Sequence, residues 1–350
     1  MSNFNSPNLP GRTVLINEET HLYFSGTNYL GIAQNKAFKE LLKAGIDRYG
    51  VHYGGSRLSN IQFPIFEATE DFLQTFTGAE QALIFSSGSY AGQTLLKIFP
   101  KDTAFFYTPN THPAVIKDTG KQFTSKHWLV EFLDYIEKNK PQKIVLVSNS
   151  IDPLRATPLG LDWIQQIPKD IDLTLIFDDS HGIGLTGKNG AGIFSTLATP
   201  SNINLIVVAS LGKAFGIPCG VILGSADILT KLRQSPYFGG SSPPSPAFLH
   251  AFLEGQDIYS DSRKKLFENI QLFESAIGTL DLFQRLANYP VFYTAQNDLY
   301  PLLLKHQIMI SSFPYPRPTD EWITRVVLNA LHTSADLEQL VSIITQWHHK

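Results

Sequence analysis

Segments dominated by apolar residues alternate with amphipathic stretches along this chain. The apolar segments occupy positions 81–85, 104–107, 143–147, 175–177 and 205–209. Continuous apolar runs rich in β-branched residues are typical of strands that are covered on both faces, as in a parallel sheet. Between and before them, positions 36–49 and 66–76 place apolar side chains at helical spacing. The pattern predicts an α/β fold built on a mostly parallel sheet.

The pattern changes after about position 245. A long amphipathic helix is predicted there from the spacing of apolar residues at Phe248, Leu249, Phe252, Leu253 and Ile258. Short strands follow at 291–294 and 308–310, which is typical of a small α+β domain. We therefore expect an N-terminal arm and helix in residues 1–45, a large domain in 46–245 and a small C-terminal domain in 246–350.

Composition narrows the classes of partner. The chain has 28 Lys and Arg against 31 Asp and Glu, a net charge of −3, and no basic block, so neither nucleic acid nor an anionic membrane is an expected partner. The single cysteine, Cys219, excludes an internal disulfide and fits a reducing compartment. No signal-peptide pattern and no apolar run of about 20 residues is present. These features predict a cytoplasmic protein without an integral membrane segment.

Three chemically reactive groups follow two of the buried runs. Asp178 and His181 come directly after the run at 175–177, and Lys213 follows the run at 205–209. Because ligands of open α/β sheets gather at the carboxyl ends of strands, we expect these side chains to meet at one sheet edge. The set suits a pyridine-type cofactor, since a carboxylate keeps a ring nitrogen protonated and an amine forms a Schiff base with an aldehyde. The alternative is a capping acid beside an ordinary surface histidine and lysine.

Two further segments point to the same edge. Residues 86–89 form a Ser/Gly turn between a strand and a helix start, where backbone N–H groups and the helix dipole bind anions. We assign a phosphate to the backbone of Gly88 and Ser89, although an ordinary N-capped helix gives the same pattern. His112 follows the strand at 104–107, and its flat imidazole suits packing on a ring, although a lone histidine is more often structural.

Two motifs carry a resemblance to a known family. They read Asp-Asp-Ser-His-Gly-Ile-Gly at 178–184 and Ser-Leu-Gly-Lys-Ala-Phe-Gly at 210–216. Together they resemble the α-oxoamine synthases, enzymes that depend on pyridoxal 5'-phosphate (PLP), and the similarity extends from about Tyr23 to about Thr333. The resemblance implies the aminotransferase-like fold type I and a homodimer with shared active sites. It also implies a C-acyltransferase that condenses an amino acid with an acyl thioester, either an acyl-CoA or an acyl carrier protein.

The resemblance also implies roles for individual residues. Lys213 is expected to be the Schiff-base lysine and the base at the substrate Cα, whereas Asp178 partners the pyridinium nitrogen. His181 is expected to contact the phenolic oxygen of PLP, and His112 to stack on its ring. Residues expected to bind the cofactor phosphate are Gly88, Ser89, Ser210 and, from the neighbouring subunit, Ser241. Residues expected to bind substrate are Arg325, Ser56 and Asn28. Asp179 is expected to be structural, and no metal ligand is implied.

The chain departs from the family pattern at several positions, and the region around residues 147–155 lies beside the cofactor and substrate in relatives. Residues that replace a usual family residue are Phe66 for histidine, Ser89 for an aromatic residue, Val147 for glutamate, Gly240 for threonine and Ile323 for arginine. An Asp-Gly-Asp sequence near residue 152 is also lost, whereas Pro158 and Leu159 are retained. The cofactor half of the pattern is thus intact, and the substrate half has drifted.

Two other functions compete with the synthase interpretation. An aminotransferase of the same fold gains support from the altered region at 147–155. A degenerate family member that acts only as a binding partner is the second alternative, and the intact Lys213 argues against it.

Overall fold

The computed structural model describes residues 4–141, 143–152, 154–156, 160–278, 280–315 and 317–349. The retained family positions Pro158 and Leu159 lie outside the described residues. The strands, in chain order, are β1 Thr13–Ile16, β2 Glu19–Phe24, β3 Gln81–Phe85, β4 Ala104–Tyr107, β5 Lys121–Gln122, β6 Ile144–Asn149, β7 Leu173–Asp178, β8 Ile203–Ser210, β9 Gly220–Gly224, β10 Gln284–Arg285, β11 Val291–Thr294, β12 Ile308–Pro314 and β13 Trp322–Val327. The helices are α1 Lys36–Tyr49, α2 Pro64–Thr77, α3 Gly88–Lys97, α4 Trp128–Asn139, α5 Ala226–Arg233, α6 Pro236–Gly239, α7 Pro246–Glu254, α8 Gln256–Ile277, α9 Leu299–Lys305 and α10 Ser334–His348.

The larger sheet forms the core of the fold. Among the described residues it has seven strands in the order β3-β9-β8-β7-β6-β4-β5. The five strands from β4 to β8 run parallel, and β9 is antiparallel to both β8 and β3. Every residue of β6 is buried, and helices such as α2 and α3 pack on the sheet. The predicted α/β fold with a mostly parallel large sheet is confirmed.

A second sheet joins the two ends of the chain. Its six strands have the order β1-β2-β12-β13-β11-β10 in the described part of the chain. The N-terminal strand β2 pairs in parallel with β12, with Leu22 opposite Ile308. Residues near the N-terminus therefore complete the sheet of the C-terminal part. The domain boundaries at 45 and 245 stay a prediction.

The long helix predicted after position 245 is interrupted. The structure has two helices there, α7 and α8, separated by Gly255. A Cβ on Gly255 would lie 2.7 Å from the Ala251 carbonyl oxygen and 3.3 Å from the Phe38 ring, so the backbone approaches α1 closely at this point. None of the helices in the described ranges is both long and apolar enough to cross a membrane.

A buried carboxylate holds the loop that follows β7. Asp179 is 1 % exposed, and its oxygens accept hydrogen bonds from Ser150 Oγ at 2.5 Å and from Ile193 N at 2.9 Å. A Cβ on Gly182 or Gly192 would stand only 2.0 or 2.2 Å from this carboxylate, so the loop closes around it only with glycine there. Burial is the main cause that raises the pKa of Asp179 to about 7. The structure thus gives Asp179 the structural place that the sequence predicts.

We expect Asp179→Asn to flatten the pH dependence of stability. Between pH about 4 and about 7, the folded state keeps a proton on Asp179 that the unfolded state releases above its ordinary pKa of 3.8. The folded state then binds more protons, so the free energy of unfolding of the wild type falls as pH rises through this window, by up to about 4 kcal/mol. The asparagine variant lacks this contribution.

Urea unfolding at a series of pH values measures the difference. Other groups, including His332, whose pKa burial lowers to about 4, titrate in both proteins and cancel in the comparison. Asp170→Asn, at an exposed position, is the matched control and should keep the wild-type profile. Parallel pH profiles for wild type and Asp179→Asn would contradict the assignment.

Candidate active site at the carboxyl edge of the large sheet

The parallel strands of the large sheet end side by side. β7 ends at Asp178, which lies opposite Val208 near the end of β8. β4 and β6 run in the same direction and end beside β7. The segments that follow these strands carry His112, His181 and Lys213, so the structure brings the predicted acid, imidazoles and amine to one edge.

Asp178 and His112 face each other at this edge. Asp178 Oδ2 lies 3.7 Å from His112 Nδ1, and its Oδ1 accepts a hydrogen bond from Ser180 N at 2.9 Å. Burial lowers the pKa of His112, although the nearby Asp178 opposes the shift. His112 is held by its backbone N–H, which donates to Asn149 Oδ1 at 3.1 Å. The site therefore holds a neutral imidazole against a carboxylate, with Asn149 as a support that the sequence did not reveal.

Lys213 lies on a tight turn after β8. The turn is closed by hydrogen bonds from Leu211 N to Cys219 O at 2.8 Å and from Ile217 N to Leu211 O at 3.2 Å. Burial is the main cause that lowers the pKa of Lys213 to about 8, against the opposing effect of Asp178. A substantial fraction of this amine is therefore neutral in mildly alkaline solution, as a nucleophile or base requires.

The start of α3 packs tightly against the end of β8. Ser87 Oγ accepts from Tyr90 N at 3.1 Å, and helix geometry leaves the amides of Gly88 and Ser89 without intrahelical acceptors. A Cβ on Gly88 would lie 2.7 Å from the Cβ of Ser210, which excludes a larger residue at this position. Two donor amides, a helix N-terminus and a serine hydroxyl thus share one small region, which suits an anion.

The two sequence motifs are hydrogen-bonded to each other. Ser210 N donates to Ser180 Oγ at 2.9 Å, and Ser210 Oγ accepts from Gly212 N at 3.2 Å. Ser180 is a site residue that the sequence interpretation passed over, although it lies inside the motif at 178–184. Its hydroxyl fixes the turn bearing His181 relative to the strand that precedes Lys213.

Arg325 enters the site from the second sheet. It lies on β13 opposite Ser311 of β12 and Tyr293 of β11, and it is 6 % exposed. Its positive charge contributes to the lowered pKa of both Lys213 and His181. The structure therefore places this guanidinium close to the groups from the large sheet.

Three predicted site residues make hydrogen bonds to other parts of the fold. Ser56 Oγ donates to Gly239 O at 2.6 Å and joins the glycine loop at 54–58 to the last residue of α6. Ser241 Oγ donates to Phe238 O at 3.1 Å. Asn28 Nδ2 donates to Gln34 Oε1 at 2.9 Å. Their roles toward substrate or phosphate stay predictions.

The loop at 54–58 is anchored by a buried charge cluster. Glu70 accepts from Arg57 Nη1 at 2.9 Å and from Arg233 Nη2 at 2.8 Å. The Arg57 guanidinium also lies 4.6 Å from the centre of the Phe66 ring, in a cation–π arrangement. Phe66, which stands where the family has histidine, thus contacts the loop through the guanidinium of Arg57.

Several proteins are similar to this chain over nearly its whole length. It is 28% identical to 8-amino-7-oxononanoate synthase from Petrotoga mobilis, over 95% of this chain and 89% of the relative. The solved structure of serine palmitoyltransferase from Sphingomonas wittichii has a TM-score of 0.81 at 21% identity, covering 97% of this chain and 90% of that chain. A serine palmitoyltransferase from S. paucimobilis with bound PLP-myriocin aldimine has a TM-score of 0.82 at 16% identity, covering 98% and 92%. The predicted fold type and the predicted resemblance to α-oxoamine synthases are confirmed by these relatives.

One family profile covers almost all of the sequence. The family described as Aminotransferase class I and II matches residues 21–344, which include both motifs, the segment with His112 and the strand with Arg325. The chain therefore belongs to the class I and II aminotransferase family.

Proposed function

We propose that this protein is a PLP-dependent C-acyltransferase of the α-oxoamine synthase type, which condenses an amino acid with an acyl thioester. The observation that carries the proposal is the convergence of Asp178, His112, His181 and Lys213 at one sheet edge with Arg325 beside them. The names of the similar proteins, 8-amino-7-oxononanoate synthase and serine palmitoyltransferase, support the same class of reaction.

The residues at this edge fit the functional groups of PLP. The amides of Gly88 and Ser89 at the start of α3 and the hydroxyl of Ser210 suit the phosphate. Asp178, whose side chain is 10% exposed, suits the pyridinium nitrogen, because an ionised carboxylate stabilises the protonated ring. Lys213 suits the aldehyde, because its amine is the group that would hold the cofactor covalently. When bound there, PLP supplies an electron sink for the electron pair left at the substrate Cα.

The remaining chemistry belongs to the side chains. Lys213 Nζ accepts the Cα proton, and its lowered pKa of about 8 makes a neutral amine available for this step. Arg325 grips the amino-acid carboxylate, since a guanidinium matches a carboxylate with two parallel hydrogen bonds. His112 would pack against the ring, and its backbone N–H is held by Asn149. In this scheme the low exposure of Arg325 keeps water from competing for the carboxylate.

A panel assay tests the proposed reaction. Purified protein reconstituted with PLP should release thiol from an acyl-CoA or acyl carrier protein thioester only when a suitable amino acid is present. Oxo-acid production without any thioester would favour the aminotransferase, a candidate supported by the altered region at 147–155. Absence of a visible absorbance band after PLP addition would overturn the cofactor assignment.

Lys213→Ala should abolish both the covalent attachment of PLP and the reaction. We expect thiol release to fall by about 10³-fold or more, because the variant loses a covalent anchor and a base. Borohydride reduction followed by peptide mass spectrometry should attach PLP to Lys213 in the wild type and nowhere in the variant. Lys188→Ala is the matched control, because Lys188 is exposed and its loss should leave both readouts unchanged. An unaltered absorbance band in Lys213→Ala would contradict the proposal.

We also propose that the protein is a cytoplasmic homodimer whose subunits share their active sites. Four exposed apolar side chains support this, lying on or next to the loop of Ser56 and the segment of Ser241: Val51, Leu58, Ile61 and Tyr237, at 75%, 63%, 62% and 40% exposure. The hydrogen bond from Ser56 to Gly239 joins this loop to α6, which carries Tyr237. Exposed apolar side chains of this kind are typical of subunit interfaces. The buried free thiol of Cys219 is compatible with a reducing compartment.

Leu58→Glu should weaken the dimer and the activity together. A charge in the centre of an apolar interface is costly to desolvate, so we expect the dissociation constant to rise by about 10²-fold or more. Sedimentation velocity at several protein concentrations measures the change. Val130→Glu, at an exposed position on α4 with 59% exposure, is the control and should remain dimeric. A monomeric wild type with full activity would refute the shared site.

A further inference from the structure

Two buried tyrosines from distant parts of the chain hold His181 at two different atoms. Tyr29 Oη lies 2.8 Å from His181 Nδ1. Tyr289 Oη donates to the His181 carbonyl oxygen at 3.0 Å. Both tyrosines are only 1% exposed, so water does not compete for their hydroxyl groups. The ring and the backbone of His181 therefore have protected anchors, and the two tyrosine side chains also interact with each other.

We propose that Tyr29 is a positioning residue that fixes the single ring proton of His181 on Nε2. The proposal deepens the proposed function and rests on it, because an Nε2–H group is then the fixed donor offered to the phenolic oxygen of PLP. Tyr29 acts through His181 and does not itself touch the reacting atoms.

The protonation of the pair follows from its surroundings. Burial, with Lys213 and Arg325 adding their positive charges, lowers the pKa of His181 well below its usual value, so the imidazole is neutral. Burial also raises the pKa of Tyr29, so its hydroxyl keeps its proton. A neutral imidazole has one N–H donor and one bare nitrogen.

The direction of the hydrogen bond decides which nitrogen is bare. A phenol is a stronger acid than an imidazole N–H, and an imidazole nitrogen is a stronger base than a phenol oxygen. The stronger arrangement at 2.8 Å is therefore Tyr29 O–H donating to Nδ1 of His181. The proton of the imidazole must then reside on Nε2. The opposite tautomer would turn a lone pair, instead of a donor, toward an oxygen of the bound cofactor.

Both tyrosines are tied to the segment after β13. The Tyr29 carbonyl accepts from Ala330 N at 2.9 Å, and the carbonyl of Pro290, next to Tyr289, accepts from Leu328 N at 2.8 Å. The two rings pack with their centres 6.2 Å apart. The strand β13 also carries Arg325. The orientation of His181 and the position of the carboxylate-binding guanidinium thus depend on the same backbone.

Nuclear magnetic resonance of [¹⁵N]histidine-labelled protein tests the proton position directly. Spectra of wild type, Tyr29→Phe and Tyr289→Phe are compared, both stripped of cofactor and loaded with PLP, and His181 is assigned through its absence in His181→Asn. In the wild type we expect a bare Nδ1 and a protonated Nε2. Tyr29→Phe should give a mixture of tautomers. Tyr289→Phe, which removes an equally buried hydroxyl from the carbonyl instead of the ring, should keep the wild-type tautomer.

Kinetics provides the second readout. With the substrates identified in the panel assay, Tyr29→Phe should lower kcat about tenfold with little change in KM, the size of effect expected when the support of a functional histidine is removed. Tyr107→Phe, which loses a hydroxyl in a side chain that is also 1% exposed, is the control and should keep wild-type kcat. Thermal unfolding of each variant verifies that the fold persists.

The outcomes separate this proposal from the proposed function. A wild-type protein with the proton on Nδ1, or a Tyr29→Phe variant with the wild-type tautomer, overturns the role of Tyr29 even if PLP binds and thiol is released. A protein that does not bind PLP overturns the proposed function, whereas the spectra of the stripped protein still decide where the His181 proton lies.

Discussion

The parallel pairing of β7 with β8 is the constraint on which the rest of the site depends. Hydrogen bonds continue past the end of β7, from Asp179 N to the Val208 carbonyl oxygen at 2.8 Å and from Ser210 N to the side-chain hydroxyl of Ser180 at 2.9 Å. These bonds allow one relative position of the two motifs. Since parallel strands end at the same edge, the carboxylate at the end of β7 and the amine that follows β8 meet there.

Close packing of the backbone at the ends of the strands then determines which groups are available to a ligand at this edge. A Cβ on Gly220 would lie 2.2 Å from the Ser87 carbonyl oxygen, so the backbone of β9 directly supports the turn before α3. Because Gly88 packs closely against Ser210, the first backbone amides of α3 lie next to the end of β8. The features of this corner that suit an anion therefore come from backbone packing and involve no basic side chain.

The second sheet completes the site with groups that the large sheet does not supply. Arg325 arrives on β13, Tyr289 comes just before β11, and Tyr29 follows the N-terminal strand β2. Because β2 pairs with β12, the N-terminal and C-terminal parts of the chain form one sheet. Arg325 and the two tyrosines that contact His181 therefore belong to one framework, although they lie far apart in the sequence.

The sequence by itself determined the strand pattern, the α/β class and the placement of Asp178 and Lys213 at one edge, because these follow from local periodicity and the direction of parallel strands. Only the tertiary structure decided that β2 pairs with β12. The same holds for the hydrogen bond from Ser56 to Gly239 and for the contact between the Tyr29 hydroxyl and the His181 ring. The spacing of apolar residues also did not predict the break between α7 and α8 at Gly255, where the backbone lies close to the Phe38 ring. Each of these contacts joins residues distant in the chain. The spacing of apolar residues indicates which face of a helix or strand is buried. Which other element packs on that face depends on the packing of the whole fold.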